Sequence, residues 1–182
     1  MEIQLGGTAN GLRFIPRGGV FIDVANAVPV GRWTHIACMF DPSISLAKVY
    51  INGVDMPTTV SFSGGSSLST GMPDNTAPIN IGRRFDLISN TGSFSLKGSI
   101  DEFRIFNEIR TPSQVLSDMQ DVIDPTTSSL VFYSRADAGI SGADNSGSTI
   151  LGDLSSNNNS GTLFNFGLTG NRSEERRVGK EC

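Results

Sequence analysis

Asp101 and Glu102 are neighbouring carboxylates, the residue type that glycoside hydrolysis requires. A retaining glycosidase holds two carboxyl groups about 5 Å apart, one as nucleophile and one as acid and base. Successive side chains on a strand point to opposite faces, so this adjacent pair cannot converge on one sugar. His35 is the only histidine, and any serine or cysteine nucleophile would have to use it as a base. Between Trp33 and Ile36 it reads instead as a packed or edge-bonded strand histidine. Cys38 and Cys182 are the only cysteines. They form no disulfide framework and, with one histidine, no zinc set, so Cys38 reads as a lone buried thiol. Gly18-Gly19 and Gly64-Gly65 lack the strand-to-helix setting of a phosphate loop. These residues give no catalytic constellation, and the chain is read as not an enzyme. One loop, 83–92, carries Arg83, Arg84, Asp86 and Asn90, side chains suited to a sugar or an acidic partner. The plainer reading is an ordinary solvated loop.

The elements that must position these residues are short strands. Gly, Pro, Ser and Asn make up 65 of 182 residues, a turn-rich composition with few long-helix formers. Residues 20–24 are β-branched and aromatic. From Thr34 to Phe40, Ala37 and Met39 share one face with Trp33 and His35, while Ile36, Cys38 and Phe40 share the other. Both faces are apolar, which predicts a central strand. Asn52-Gly53 between Lys48–Ile51 and Val54–Met56 predicts a hairpin, because a type I′ turn needs φ > 0 at both central residues. Residues 61–78 read as a loop, 79–82 as a short strand, and 94–106 as a pair of strand-like runs. On 99–106, Asp101, Phe103 and Ile105 share one face, which leaves Glu102 and Arg104 toward solvent. Thr111-Pro112-Ser113-Gln114 predicts a capped helix to about Met119. Asp124-Pro125 opens a linker, and Leu130 to Tyr133 begins a new strand.

Net charge is −4, with 14 basic and 18 acidic residues. Residues 172–182 hold four basic and three acidic side chains; the remainder is mildly acidic, with no footprint for nucleic acid or an anionic membrane. No apolar run of about 20 residues would insert in a membrane.

Taken in order, Gly31-Arg32-Trp33-Thr34-His35-Ile36-Ala37, Val49-Tyr50-Ile51-Asn52-Gly53, Ile81-Gly82-Arg83 and Gly98-Ser99-Ile100-Asp101-Glu102-Phe103-Arg104-Ile105-Phe106-Asn107 resemble the laminin-G-like, concanavalin A-like jelly roll. The run Arg110–Gln114 is similar to the short helix that closes such domains in bacterial surface proteins. Residues 130–170, with Leu130–Tyr133, Gly139 and Asp153–Leu163, resemble the start of a second copy, although Ala136 stands where the family has an aromatic. Arg172–Cys182 resembles the in-frame translation of a DNA-sequencing adapter and is set aside from the fold.

The resemblance implies an all-β, antiparallel β-sandwich with one short helix near 112–119. It divides the chain into a partial jelly roll at 1–120 lacking its first strands, a linker at 121–129, the start of a second copy at 130–171, and the tail. Alternatively, residues 130–165 fold back and pair with the first copy. The resemblance also implies a structural calcium, with Asp101, Asp153 and Asn157 as oxygen donors; the alternative is that Asp101 caps a strand end and the Asn run forms turns. Trp33 takes the family's core position, so no exposed aromatic platform is expected. The implied function is a non-catalytic binding or adhesion module of a large secreted or cell-surface protein, with a glycan or an extracellular protein as partner. Alternatives are a structural spacer repeat and a non-catalytic part of a polysaccharide-degrading enzyme.

Overall fold

The computed structural model describes residues 1–5, 10–71, 79–82, 84–86, 91–93, 96–137 and 144–163. The tail at 172–182 lies outside these. Among the described residues the strands form antiparallel sheets with one α-helix, the all-β sandwich that the sequence predicts. The chain divides into two compact units, Met1–Leu96 with Ile109–Val122, and Lys97–Glu108 with Ile123–Cys182.

In the first unit, β1 (Glu2–Leu5), β2 (Leu12–Ile15), β3 (Val20–Val24) and β7 (Thr59–Phe62) form one sheet in that order. A second sheet contains β4 (Ile36–Asp41), β5 (Leu46–Ile51) and β6 (Val54–Asp55). Alternation in β3 buries Val20, Ile22 and Val24, which join Leu12 and Phe14 of β2. From the other sheet, Val49, Ile51, Ile36, Cys38 and Phe40 pack against this cluster. The opposite face of the second sheet is apolar too. Met39 and Tyr50 pack there with Val115 of α1 (Pro112–Gln120) and Ile109. The two apolar faces of β4 reflect a sheet covered on both sides; among the described strands β4 pairs with β5 alone, and it starts at Ile36 instead of Thr34.

The helix begins as its sequence requires. Thr111 Oγ1 accepts from the Gln114 N–H at 3.3 Å, Gln114 Oε1 accepts from the Thr111 N–H at 2.8 Å, and Pro112 occupies the first turn, where a missing N–H costs nothing. Arg110 clamps the helix through a bidentate pair with Asp118, at 2.9 and 3.0 Å. The Asn52-Gly53 turn has φ of 50° and 78°, the type I′ geometry, with Ile51 opposite Val54. Gly53 also lies against the helix, since a Cβ there would come within 2.4 Å of Leu116.

Two expectations fail locally. Residues 79–82 form no strand; Gly82 adopts φ +84°, which turns the chain, and its carbonyl accepts from the Leu96 N–H at 2.7 Å. The loop at 83–92 contains a hairpin instead, β8 (Arg84–Asp86) paired with β9 (Thr91–Ser93). Of the two runs expected within 94–106, the described residues show one, β10 (Phe103–Phe106).

In the second unit, β10 pairs with β11 (Leu130–Ser134), with a register shift between Ile105 and Phe106. The segment at 130–134 thus hydrogen-bonds to β10 in a two-stranded sheet within this unit. The linker ahead of it is an ordered turn: Asp124 Oδ1 accepts from the N–H and hydroxyl of Thr126, each at 2.8 Å. Ile123, Leu130 and Tyr133 form a buried cluster with Phe106 against it. Two short strands, β12 (Ile150–Leu151) and β13 (Gly161–Thr162), close a hairpin.

Candidate ligand-binding surface

Of the four residues proposed for ligand contact, Arg83 and Asn90 lie outside the described residues. Arg84 and Asp86 fall in β8, where they pair with Ser93 and Thr91, and their side chains also lie outside the description.

The three proposed calcium donors are held by the chain's own polar groups. Asp101 is exposed, and its Oδ1 accepts from the Glu102 N–H at 2.8 Å. Asp153 commits both carboxylate oxygens: Oδ1 accepts from the N–H groups of Tyr133 (3.0 Å) and Ser155 (2.8 Å), Oδ2 from the Asn159 N–H (2.7 Å) and the Ser155 hydroxyl (2.8 Å). Burial alone would raise the Asp153 pKa, but the backbone amides of Tyr133, Ser155 and Asn159 and the Ser155 hydroxyl outweigh it and hold the carboxyl below its usual value. Asn157 turns its amide inward, donating to the Leu130 carbonyl at 2.8 Å. Among the described residues, no three His, Cys, Asp or Glu side chains gather in one place.

Glu102 and Arg104 do not face solvent, which corrects the alternation assumed for 99–106. β10 begins only at Phe103, and Glu102 ahead of it adopts φ +51°, so the strand pattern does not extend back to it. Its carboxylate binds Arg104, accepts from the Tyr133 hydroxyl at 2.6 Å and from Arg135 Nε at 3.1 Å. The Arg104 side chain is only 8% exposed, and its guanidinium lies 5.1 Å from the centroid of the Tyr133 ring. Burial, together with the hydrogen bond to Glu102, raises the Tyr133 pKa. Asp101 and Glu102 therefore diverge, one toward solvent and one into an arginine network, and do not form an acid and nucleophile pair. No short-range signal marks this network, because Glu102 and Tyr133 are 31 residues apart.

His35 stands just ahead of β4. Its backbone N–H donates to Asn52 Oδ1 at 2.9 Å, and its carbonyl accepts from the Asn52 N–H at 2.9 Å. Trp33, two residues earlier, is 72% exposed, contrary to the core position expected of it. Gly31 at φ +77° turns the chain and β4 starts three residues after Trp33, so the strand alternation never reaches the indole. A separate cleft of about 210 Å³ opens between β5 and the start of α1, floored by Met39, Leu46, Tyr50 and Ile109. Its cations are engaged, Lys48 with Asp55 and Arg110 with Asp118. Its volume is below the roughly 300–1,000 Å³ of typical ligand pockets.

A family model described as the concanavalin A-like lectin/glucanases superfamily matches residues 1–116. The chain belongs to this superfamily. The chain is also similar in fold to a solved structure from Bacteroides ovatus ATCC 8483 described as a "putative carbohydrate binding protein", with a TM-score of 0.56 and 19% sequence identity. The match covers 88% of this chain and 49% of that one, so the concanavalin A-like chain spans about half the length of that protein. None of the curated proteins matches it.

Proposed function

We propose that this concanavalin A-like chain is a non-catalytic binding module of a secreted or cell-surface protein, with carbohydrate as its ligand. The observation that carries this reading is the commitment of its central carboxylates to structure. Glu102 is held by two arginines and a tyrosine hydroxyl, and Asp153 by three backbone amides and a serine, in a superfamily whose sandwiches include lectins. Carboxylates locked in this way organise the fold and are not poised to exchange protons with a substrate. The carbohydrate ligand is supported by the description of the similar Bacteroides structure. No helix among the described residues is long and apolar enough to cross a membrane.

A glycan array probed with the chain tests the reading. Saturable binding to a defined glycan class, without release of reducing sugar from polysaccharides, is the expected outcome. Absence of binding to every glycan would favour a structural spacer, and measurable hydrolysis would replace the binding reading with a catalytic one.

A further inference from the structure

We propose that Trp33 and Arg32 form a stacking site for an acidic pyranose, such as a uronic acid residue; this rests on the carbohydrate-binding reading above and assigns it a location. Trp33 is the sole tryptophan, and tryptophan is usually well buried, yet here the indole is 72% exposed with Val30 nearby at 91%. The backbone on either side of Trp33 is defined by the Gly31 turn at φ +77° and by the reciprocal bonds between His35 and Asn52, both 2.9 Å. The π-face of an indole is electron-rich and accepts the electropositive C–H face of a sugar ring.

Arg32 supplies the second recognition element. It is exposed and adjacent to Trp33, and its guanidinium makes no hydrogen bond or ion pair with any described residue. A guanidinium presents two parallel N–H donors to a carboxylate, which selects an acidic sugar over a neutral one. The net charge of −4 provides no general attraction for polyanions, so preference for an acidic glycan must come from such a local cation.

Because Trp33 is the single tryptophan, intrinsic fluorescence of the full chain reports on this site alone. Titration with a galacturonate oligosaccharide is expected to shift the emission to the blue and protect it from acrylamide, with a neutral galactose oligosaccharide about tenfold weaker, the scale of one charge-assisted contact. Trp33→Ala is expected to abolish binding measured calorimetrically, Trp33→Phe to retain most of it, and Arg32→Gln to equalise the acidic and neutral sugars. Circular dichroism melts of the variants verify that they fold. Glycan binding that leaves the emission unchanged, or survives in Trp33→Ala, overturns this site while the carbohydrate reading stands. Failure to bind any saccharide overturns both. Emission shifts with anionic vesicles and not with sugars would also overturn it and identify a membrane-facing loop.

Discussion

Asn52 and His35 hold each other through two hydrogen bonds of 2.9 Å, one from the His35 N–H to the Asn52 side chain and one from the Asn52 N–H to the His35 carbonyl. One asparagine thus does two jobs: it adopts the φ of 50° that the type I′ turn demands, and it fastens the segment carrying Trp33 to the β5–β6 hairpin. The histidine takes part through its backbone, so its imidazole is not needed for the link.

Substitutions at Asn52 separate these two jobs. Asn52→Gly keeps the turn conformation and loses the side-chain acceptor, with an expected cost of about 1 kcal/mol. Asn52→Ala also places a Cβ residue with no local hydrogen bonding in the left-handed region, raising the cost to about 2 kcal/mol. Urea denaturation of both variants checks the order; equal stabilities would show that the acceptor, and not the turn, dominates.

Glu102 neutralises Arg104, which is largely removed from water, and also binds the part-exposed Arg135, so its loss is expected to weigh heavily on the second unit. Glu102→Ala leaves Arg104, 8% exposed, without this carboxylate, and about 3 kcal/mol of destabilisation is expected. Tyr133→Phe removes one hydroxyl donor and is expected to cost about 1 kcal/mol. A double-mutant cycle read by thermal melts should give a coupling above about 0.5 kcal/mol.

Asp153 ties the 153–159 turn to β11 and makes stability depend on acid. Its folded pKa lies below the unfolded value near 3.9, so its contribution is present above that value and disappears as pH falls through the folded pKa. Asp153→Asn is expected to lower the melting midpoint at pH 7, with a loss of about 2 kcal/mol, and to flatten the acid limb of the Tm profile below pH about 4. Parallel melts of both proteins across pH 3 to 7, roughly the carboxylate range, measure the difference.

With both Asp153 oxygens already accepting two hydrogen bonds each, calcium would have to displace amide donors to bind there. Millimolar calcium followed by chelator is therefore expected to leave the melting midpoint unchanged. An upward shift on calcium that chelator reverses would show a site that binds the ion.

Burial pushes the Cys38 thiol up to about 12, which leaves almost no thiolate at neutral pH. In a Cys182→Ser variant, labelling by a thiol reagent at pH 8, near the unperturbed cysteine pKa of about 8.5, is expected to be negligible in the folded protein and rapid in denaturant.

Local signals determined local structure. Asn52-Gly53 specified its turn because few residues tolerate two positive φ angles, and Thr111-Pro112-Ser113-Gln114 specified its helix start because the cap needs only four consecutive residues. The alternation of Val20, Ile22 and Val24 marked a core face, and the ordered motifs marked the sandwich family. Tertiary structure decided what depended on distant partners. Nothing near Glu102 indicated that Tyr133 and Arg135 would turn it inward, and nothing in the 34–40 pattern indicated that the strand would begin too late to bury Trp33. Periodicity gives the face a side chain would occupy if the strand extends that far. Where the strand begins, and which residues from elsewhere in the chain meet it, is set by the packing of the whole unit.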